Sequence, residues 1–157
     1  MTDRSIEPLI ALLNQSERER DEALAAAQRA MDAQAAAQMQ VDQLVAYRSE
    51  YEERFREQFS RKSSVDMLHC YQGFMLRLNQ AIDQQRAVTA HATVQHDHAR
   101  GVLREQELRV ASVRKLLDRR LYELRLVADR RDQKQTDEFA ARVAWNRLAA
   151  AAVTPAS

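Results

Sequence analysis

Residues 40–85 read QVDQLVAYRSEYEERFREQFSRKSSVDMLHCYQGFMLRLNQAIDQQ, and this stretch decides the fold. In its first half Gln40, Leu44, Tyr47 and Tyr51 recur at spacings of four, three and four. Side chains so spaced are neighbours on one face of a helix. The second half repeats the spacing with Phe74, Leu78, Ala81 and Gln85, and Arg61-Lys62-Ser63-Ser64 interrupts the apolar rhythm between them. An antiparallel turn at that interruption sets Tyr51 opposite Phe74, Tyr47 opposite Leu78, Leu44 opposite Ala81 and Gln40 opposite Gln85. One register pairs both stripes.

Working outward, composition points the same way. Two glycines and two prolines in 157 residues leave almost nothing to interrupt a helix, and alanine, glutamine, arginine, glutamate and leucine dominate, as in long helices. The expectation is an all-α chain forming one long antiparallel two-helix coiled-coil hairpin over residues 1–157. Helix one should cover about 6–60, the turn about 61–65 and helix two about 66–150. Thr2, Asp3 and Ser5 offer N-cap oxygens, Pro8 is tolerable in a first turn, and Ser63 or Ser64 can cap the second helix ahead of Asp66.

Alternating steps of three and four carry the first seam through Ile6, Leu9, Leu13, Ser16, Arg20, Ala23, Ala27, Ala30, Gln34, Ala37, Val41, Leu44, Arg48, Tyr51 and Phe55. Eleven of these fifteen are apolar, as a coiled coil requires. The second seam runs through Met67, Tyr71, Phe74, Leu78, Ala81 and Val88, then Leu103, Val110, Val113, Leu117, Leu121 and Leu124, with a phase slip expected near Gly101. In the hairpin register the first helix runs out opposite about Leu124. Residues 125–150 should therefore overhang as a single helix that keeps Phe139, Val143 and Trp145, and an unpaired helix with such side chains suits docking into another protein.

Several function classes are disfavoured. Twenty-four basic against 23 acidic residues give a net charge of +1, short of the excess that general nucleic-acid or anionic-membrane binding uses. No run approaches the ~20 apolar residues of a membrane span, and the first residues lack the form of a signal peptide. A cytoplasmic location is expected, with no direct membrane insertion and no nucleic-acid partner. Cys70, the single cysteine, allows no internal disulfide. His91 and His98 share a helix face but His96 lies away from it, so no metal site is expected, and ordinary exposed histidines are the simpler reading. Cys70 and His69 point about 100° apart on a helix. No catalytic residue, cofactor or enzyme activity is expected. Mixed-sign runs such as Glu17 to Glu22 and Glu50 to Arg56 read as solvated faces whose pairs contribute little.

The apolar arcs around Tyr47 and Phe74 are wider than a two-stranded seam needs. Periodicity alone fits equally the packing of the bulky end of the hairpin and a partner surface, and paired tyrosines on exposed helix faces favour the partner surface. The tyrosine pair in Tyr47-Arg48-Ser49-Glu50-Tyr51 comes first in the chain. Tyr71-Gln72-Gly73-Phe74 follows, running to Leu78, Ala81 and Gln85, and then the late Asp132-Gln133-Lys134 with Asp137-Glu138-Phe139-Ala140. In that order and spacing the chain resembles the FliJ family of flagellar type III export proteins. The resemblance implies a cytoplasmic component, peripheral at the cytoplasmic face of the inner membrane, shaped like the central stalk of a rotary ATPase. Its implied partners are the hexameric flagellar export ATPase, the cytoplasmic domain of the export gate membrane protein, and export chaperones.

By resemblance the export-gate-binding strip maps onto Gln40, Leu44, Tyr47, Tyr51, Phe74, Leu78, Ala81 and Gln85. A histidine is familiar where Gln85 stands, and glutamine removes any proton-dependent charge there. A stalk enters its ring with its helical ends, so Ile6, Leu9, Leu13, Gln133, Lys134, Asp137, Glu138 and Phe139 are the candidate ATPase contacts. The alternatives are the equivalent stalk of a virulence injectisome and a structural coiled-coil scaffold.

Overall fold

The computed structural model describes residues 4–153. Helix α1 runs Glu7–Arg61 and helix α2 runs Val65–Val153. The chain is an all-α hairpin, and no strand occurs among the described residues. Its ends follow from local chemistry. The Ile10 amide donates to the Ile6 carbonyl at 2.9 Å, which makes Ile6 the residue that opens α1. Glu7 then complements the helix dipole, and Pro8 sits in a turn whose amides have no intrahelical acceptor. The expected caps Thr2 and Asp3 lie outside the described residues. At the far end the Lys62 amide reaches the Gln58 carbonyl at 3.0 Å, and the Leu68 amide reaches the Ser64 carbonyl at 3.1 Å. Ser64 therefore opens α2, with Asp66 in its first turn.

The chain divides into two compact units, residues 16–109 and residues 1–15 with 110–157. Within the first, four cross-helix contacts fix the register. Arg48 Nη1 donates to Asn79 Oδ1 at 2.9 Å, and Gln34 Nε2 donates to Thr93 Oγ1 at 3.0 Å. Gln85 Nε2 donates to the Ala37 carbonyl at 3.4 Å, and Arg109 pairs with Glu19 at 3.3 Å. Paired numbers sum to between 122 and 128, which brackets the sum of 125 that the two stripes predict. Ala23, Ala27, Ala37, Val41, Leu78 and Ile82 are buried between the helices. Alanine at these positions lets the helices approach closely while removing little area from water.

All fifteen seam positions expected on α1 are buried or half-buried. The α2 seam needs a correction. Val88 is 53% and Leu121 40% exposed, while Met67, Tyr71, Phe74 and Ala81 are half-buried as expected, and from Met75 onward a covered series runs Met75, Leu78, Ile82, Gln85, Thr89, Ala92, His96, Ala99, Leu103, Gln106, Val110 and Val113. This is an unbroken alternation of three and four, so the phase does not slip near Gly101 and the helix continues through it. Thr89 displaces Val88 because its hydroxyl is satisfied locally. Thr89 Oγ1 donates to the Gln85 carbonyl and Thr93 Oγ1 to the Thr89 carbonyl, both at 3.0 Å, a back-bond that a helix supplies without a partner. His96 is half-buried in this seam, whereas His91 and His98 are exposed.

Ser16 is the buried polar residue of α1, at 1% exposure, and its Oγ has no hydrogen-bond partner. A buried hydroxyl left unpaired costs about 1–3 kcal/mol, and alanine is the better helix former. Ser16→Ala should therefore raise stability by about 1 kcal/mol, read as a higher thermal midpoint. A lower midpoint would show that the hydroxyl is held by a contact of its own.

In the other unit, Ile6, Val110 and Val113 are buried and Leu9, Leu13 and Leu117 half-buried. Beyond Leu124, every residue to Val153 is exposed except Val143. The overhang expected from the register is present. No described helix is long and apolar enough to cross a membrane.

Candidate functional site

The strip is built where α1 and α2 carry their aromatic residues, on the turn side of the alanine-rich segment. Tyr51 and Phe74 meet with ring centroids 4.3 Å apart, the pairing the register sets. Tyr47 lies at 6.2 Å from Phe74, edge to face, and 6.4 Å from Tyr51. Towards the turn the series continues, with Tyr51 stacked on Tyr71 at 5.9 Å, Tyr71 on Phe55 at 3.8 Å and Phe55 on Phe59 at 5.3 Å. Such offset ring pairs each add about 0.5–1.5 kcal/mol beyond the area they bury. Six rings from two helices thus form one continuous layer.

The eight strip residues divide by depth. Gln40 and Tyr47 are exposed, Tyr47 at 44%; Leu44, Tyr51, Phe74, Ala81 and Gln85 are half-buried; Leu78 is buried. Tyr47 lies on the flank of α1, about a quarter turn from Arg48, which faces α2 through its bond to Asn79. Leu78 lies in the seam itself. The strip is therefore a lip along one side of the hairpin, rooted in the core and open at Gln40 and Tyr47. Gln85 turns its amide towards the α1 backbone at Ala37, so its polar end takes part in the helix pairing.

A groove of about 480 Å³ adjoins the lip. Tyr47, Tyr51, Arg54, Gln58, Met67 and Cys70 are among the residues that line it. Of these only the two tyrosines belong to the eight residues that the sequence singles out. Met67 and Cys70 stand seven and four positions before Phe74, a helical spacing that could have linked them to the strip. Arg54 approaches Glu50 at 3.9 Å with both side chains largely exposed, a weak pairing.

The second set of candidates lies in the other unit. Gln133, Lys134, Asp137, Glu138 and Phe139 are all exposed, Phe139 at 69%. Gln133 Nε2 donates to Asp137 Oδ1 at 3.1 Å and Thr136 Oγ1 to the Asp132 carbonyl at 2.9 Å, contacts one turn apart that steady the helix surface. Trp145, at 71%, and Leu148 are open as well. The apolar start differs, since Ile6 is buried and Leu9 and Leu13 are half-buried. Most of its apolar surface is spent on packing within the unit, and the tail holds the open aromatic surface. No group of three or more His, Cys, Asp or Glu side chains is placed to hold a metal ion among the described residues.

Comparison with known proteins points to the same family. The sequence pattern of the family described as FliJ, flagellar FliJ protein, matches residues 5–149. The flagellar FliJ protein of Salmonella typhi is 31% identical over 111 residues, covering 71% of this chain and 76% of that protein. The flagellar FliJ protein of Escherichia coli (strain K12) matches at the same identity and coverage. No solved structure matches significantly. The match spans both helices, the aromatic layer and nearly all of the exposed tail, and on that extent the chain belongs to the FliJ family of flagellar export components.

Proposed function

We propose that the chain is the central stalk of the flagellar export ATPase and links the ATPase ring to the membrane export gate. The observation that carries this reading is the exposed helix from 125 to 153, which is continuous with a paired segment and keeps Phe139 and Trp145 in the open. At ~1.5 Å per residue it offers about 40 Å of unshared helix, long enough to run along the inner wall of a hexameric ring. A single helix has no sixfold symmetry, so the six ring subunits meet different side chains. Gln133, Lys134, Asp137, Glu138 and Phe139 supply charge of both signs and one large apolar group. Contacts that differ from subunit to subunit bias which of them closes on nucleotide, and they also favour the assembled ring by mass action, since each subunit bound to the stalk is held near its neighbours.

The strip centred on Tyr47 then engages the cytoplasmic domain of the gate membrane protein. This places the chain peripherally at the cytoplasmic face of the inner membrane, with export chaperones as further clients. Its part is mechanical rather than catalytic.

The test is the hydrolysis rate and ring assembly of the cognate flagellar export ATPase with and without the purified chain. The full chain should raise both, and a chain lacking Asp129 to Ser157 should raise neither while melting at nearly the same temperature, because the deleted helix contributes little packing. Stimulation that survives the deletion would move the ATPase contact off the tail. Absence of stimulation by the full chain would overturn the stalk reading.

A further inference from the structure

The groove beside the aromatic lip is open although rings of the hairpin packing form part of its wall, and the helix surface at Cys70 and Arg77 that continues it is exposed. Cys70, Gly73 and Arg77 recur at spacings of three and four and so share one face of α2. Cys70 lines the groove together with Arg54 from α1, and its thiol is exposed.

Gly73 has no structural reason to be glycine. Its φ is not positive, and a Cβ built on it would meet nothing within 4 Å. In a helix interior it is less favourable than alanine by about 1 kcal/mol. What glycine does provide is bare backbone that another chain can approach closely. It stands immediately before Phe74, whose ring is a member of the lip. The rim on either side is basic. Arg54 is tied only weakly to Glu50 at 3.9 Å, and Arg77 rests its Nε on the Gly73 carbonyl at 3.3 Å.

We infer that the partner surface extends beyond the eight-residue strip, into the groove at Arg54 and Cys70 and across the bare backbone at Gly73. There it receives an acidic and apolar segment of the gate's cytoplasmic domain. This rests on the gate-binding reading of the strip. Tyr47 and Tyr51 form both the strip and a wall of the groove, so a partner seated on the one is carried into the other. The apolar part of the segment meets Met67 and the tyrosine rings, its acidic part meets the two guanidinium groups, and its backbone lies against Gly73.

Cys70 is the single cysteine of the chain, which makes the unmodified protein its own reporter. Alkylation of Cys70 by N-ethylmaleimide should slow about tenfold when the purified gate domain is saturating, as for a group covered in the complex. Gly73→Leu should weaken gate binding by about tenfold or more while leaving the thermal midpoint unchanged or higher. Gly101→Leu, at the other glycine with open space around it, should bind as the parent chain does. Should the gate domain bind the parent chain and lose affinity on Tyr47→Ala, yet leave Cys70 fully reactive and tolerate Gly73→Leu, the extension is overturned and the strip stands. A gate domain that does not bind the parent chain overturns both.

Discussion

Replacing Ile82 by alanine is expected to cost the hairpin about 2–5 kcal/mol, the range for emptying a well-packed core site. Ile82 is 0% exposed and is the largest fully buried side chain among the described residues. It sits between two fixed points of the register, Asn79 bonded to Arg48 and Gln85 bonded to the Ala37 carbonyl. Backbones pinned on both sides cannot easily collapse into the space, so the cavity term should be felt in full. From Ala23 to Ala37 on α1 and from Gln85 to Ala99 on α2 the seam is largely alanine, threonine and glutamine, which bury little apolar area, and a native protein has only about 5–15 kcal/mol in total. A single isoleucine is therefore a large share of what holds the helices together. Urea unfolding should show a lower midpoint with an unchanged slope. Leu76→Ala, at an exposed position six residues earlier, should stay within about 0.5 kcal/mol. Equal midpoints for the two variants would refute this account of the core.

The second large effect separates the two tyrosines of the strip. Spacing places Tyr47 and Tyr51 on one stripe; if that stripe is wholly a partner surface, a joint alanine replacement leaves stability nearly unchanged, whereas if it is seam the replacement costs several kcal/mol. The structure divides them. Tyr47 is 44% exposed and touches the layer at centroid distances above 6 Å. Tyr51 contacts Phe74 at 4.3 Å, Tyr71 at 5.9 Å and Tyr47 at 6.4 Å, with its ring half-buried. Tyr47→Ala should weaken binding of the gate domain by at least about 2 kcal/mol, roughly 30-fold in Kd, and lower stability by no more than about 1 kcal/mol. Tyr51→Ala should lose binding and also about 2–4 kcal/mol of stability. Titration calorimetry against the purified gate domain, with thermal melts of each variant, separates these outcomes. Binding by the Tyr47 variant at parental affinity would remove the strip from the function.

The two effects come from one construction. Beside the thin alanine seam the aromatic layer adds packing between the helices, and the same layer leaves one ring, Tyr47, open on its flank. The rings that hold α1 to α2 and the one offered outward are adjacent members of one stack.

Much of this was determined by the sequence alone. The near absence of glycine and proline, together with a three-and-four rhythm interrupted only at Arg61 to Ser64, dictates two long helices and a short turn. The matching of two like-spaced stripes dictates their register, and the excess length of the second helix dictates an exposed tail. These are properties of spacing, and spacing is local. The α2 seam was not legible in this way. Hydrophobicity ranks Val88 above Thr89, and the choice of Val88 created a slip near Gly101 that the helix does not have. Thr89, Thr93 and Gln85 can be covered because back-bonds and the facing helix satisfy their polar atoms, and no ranking of single residues contains that information. Seam spacing already sets Tyr51, and not Tyr47, among the paired positions, but it does not say how closely either ring meets those of the other helix. Both fall on one face of α1, and only the distance to the rings of α2 decides which remains available to a partner.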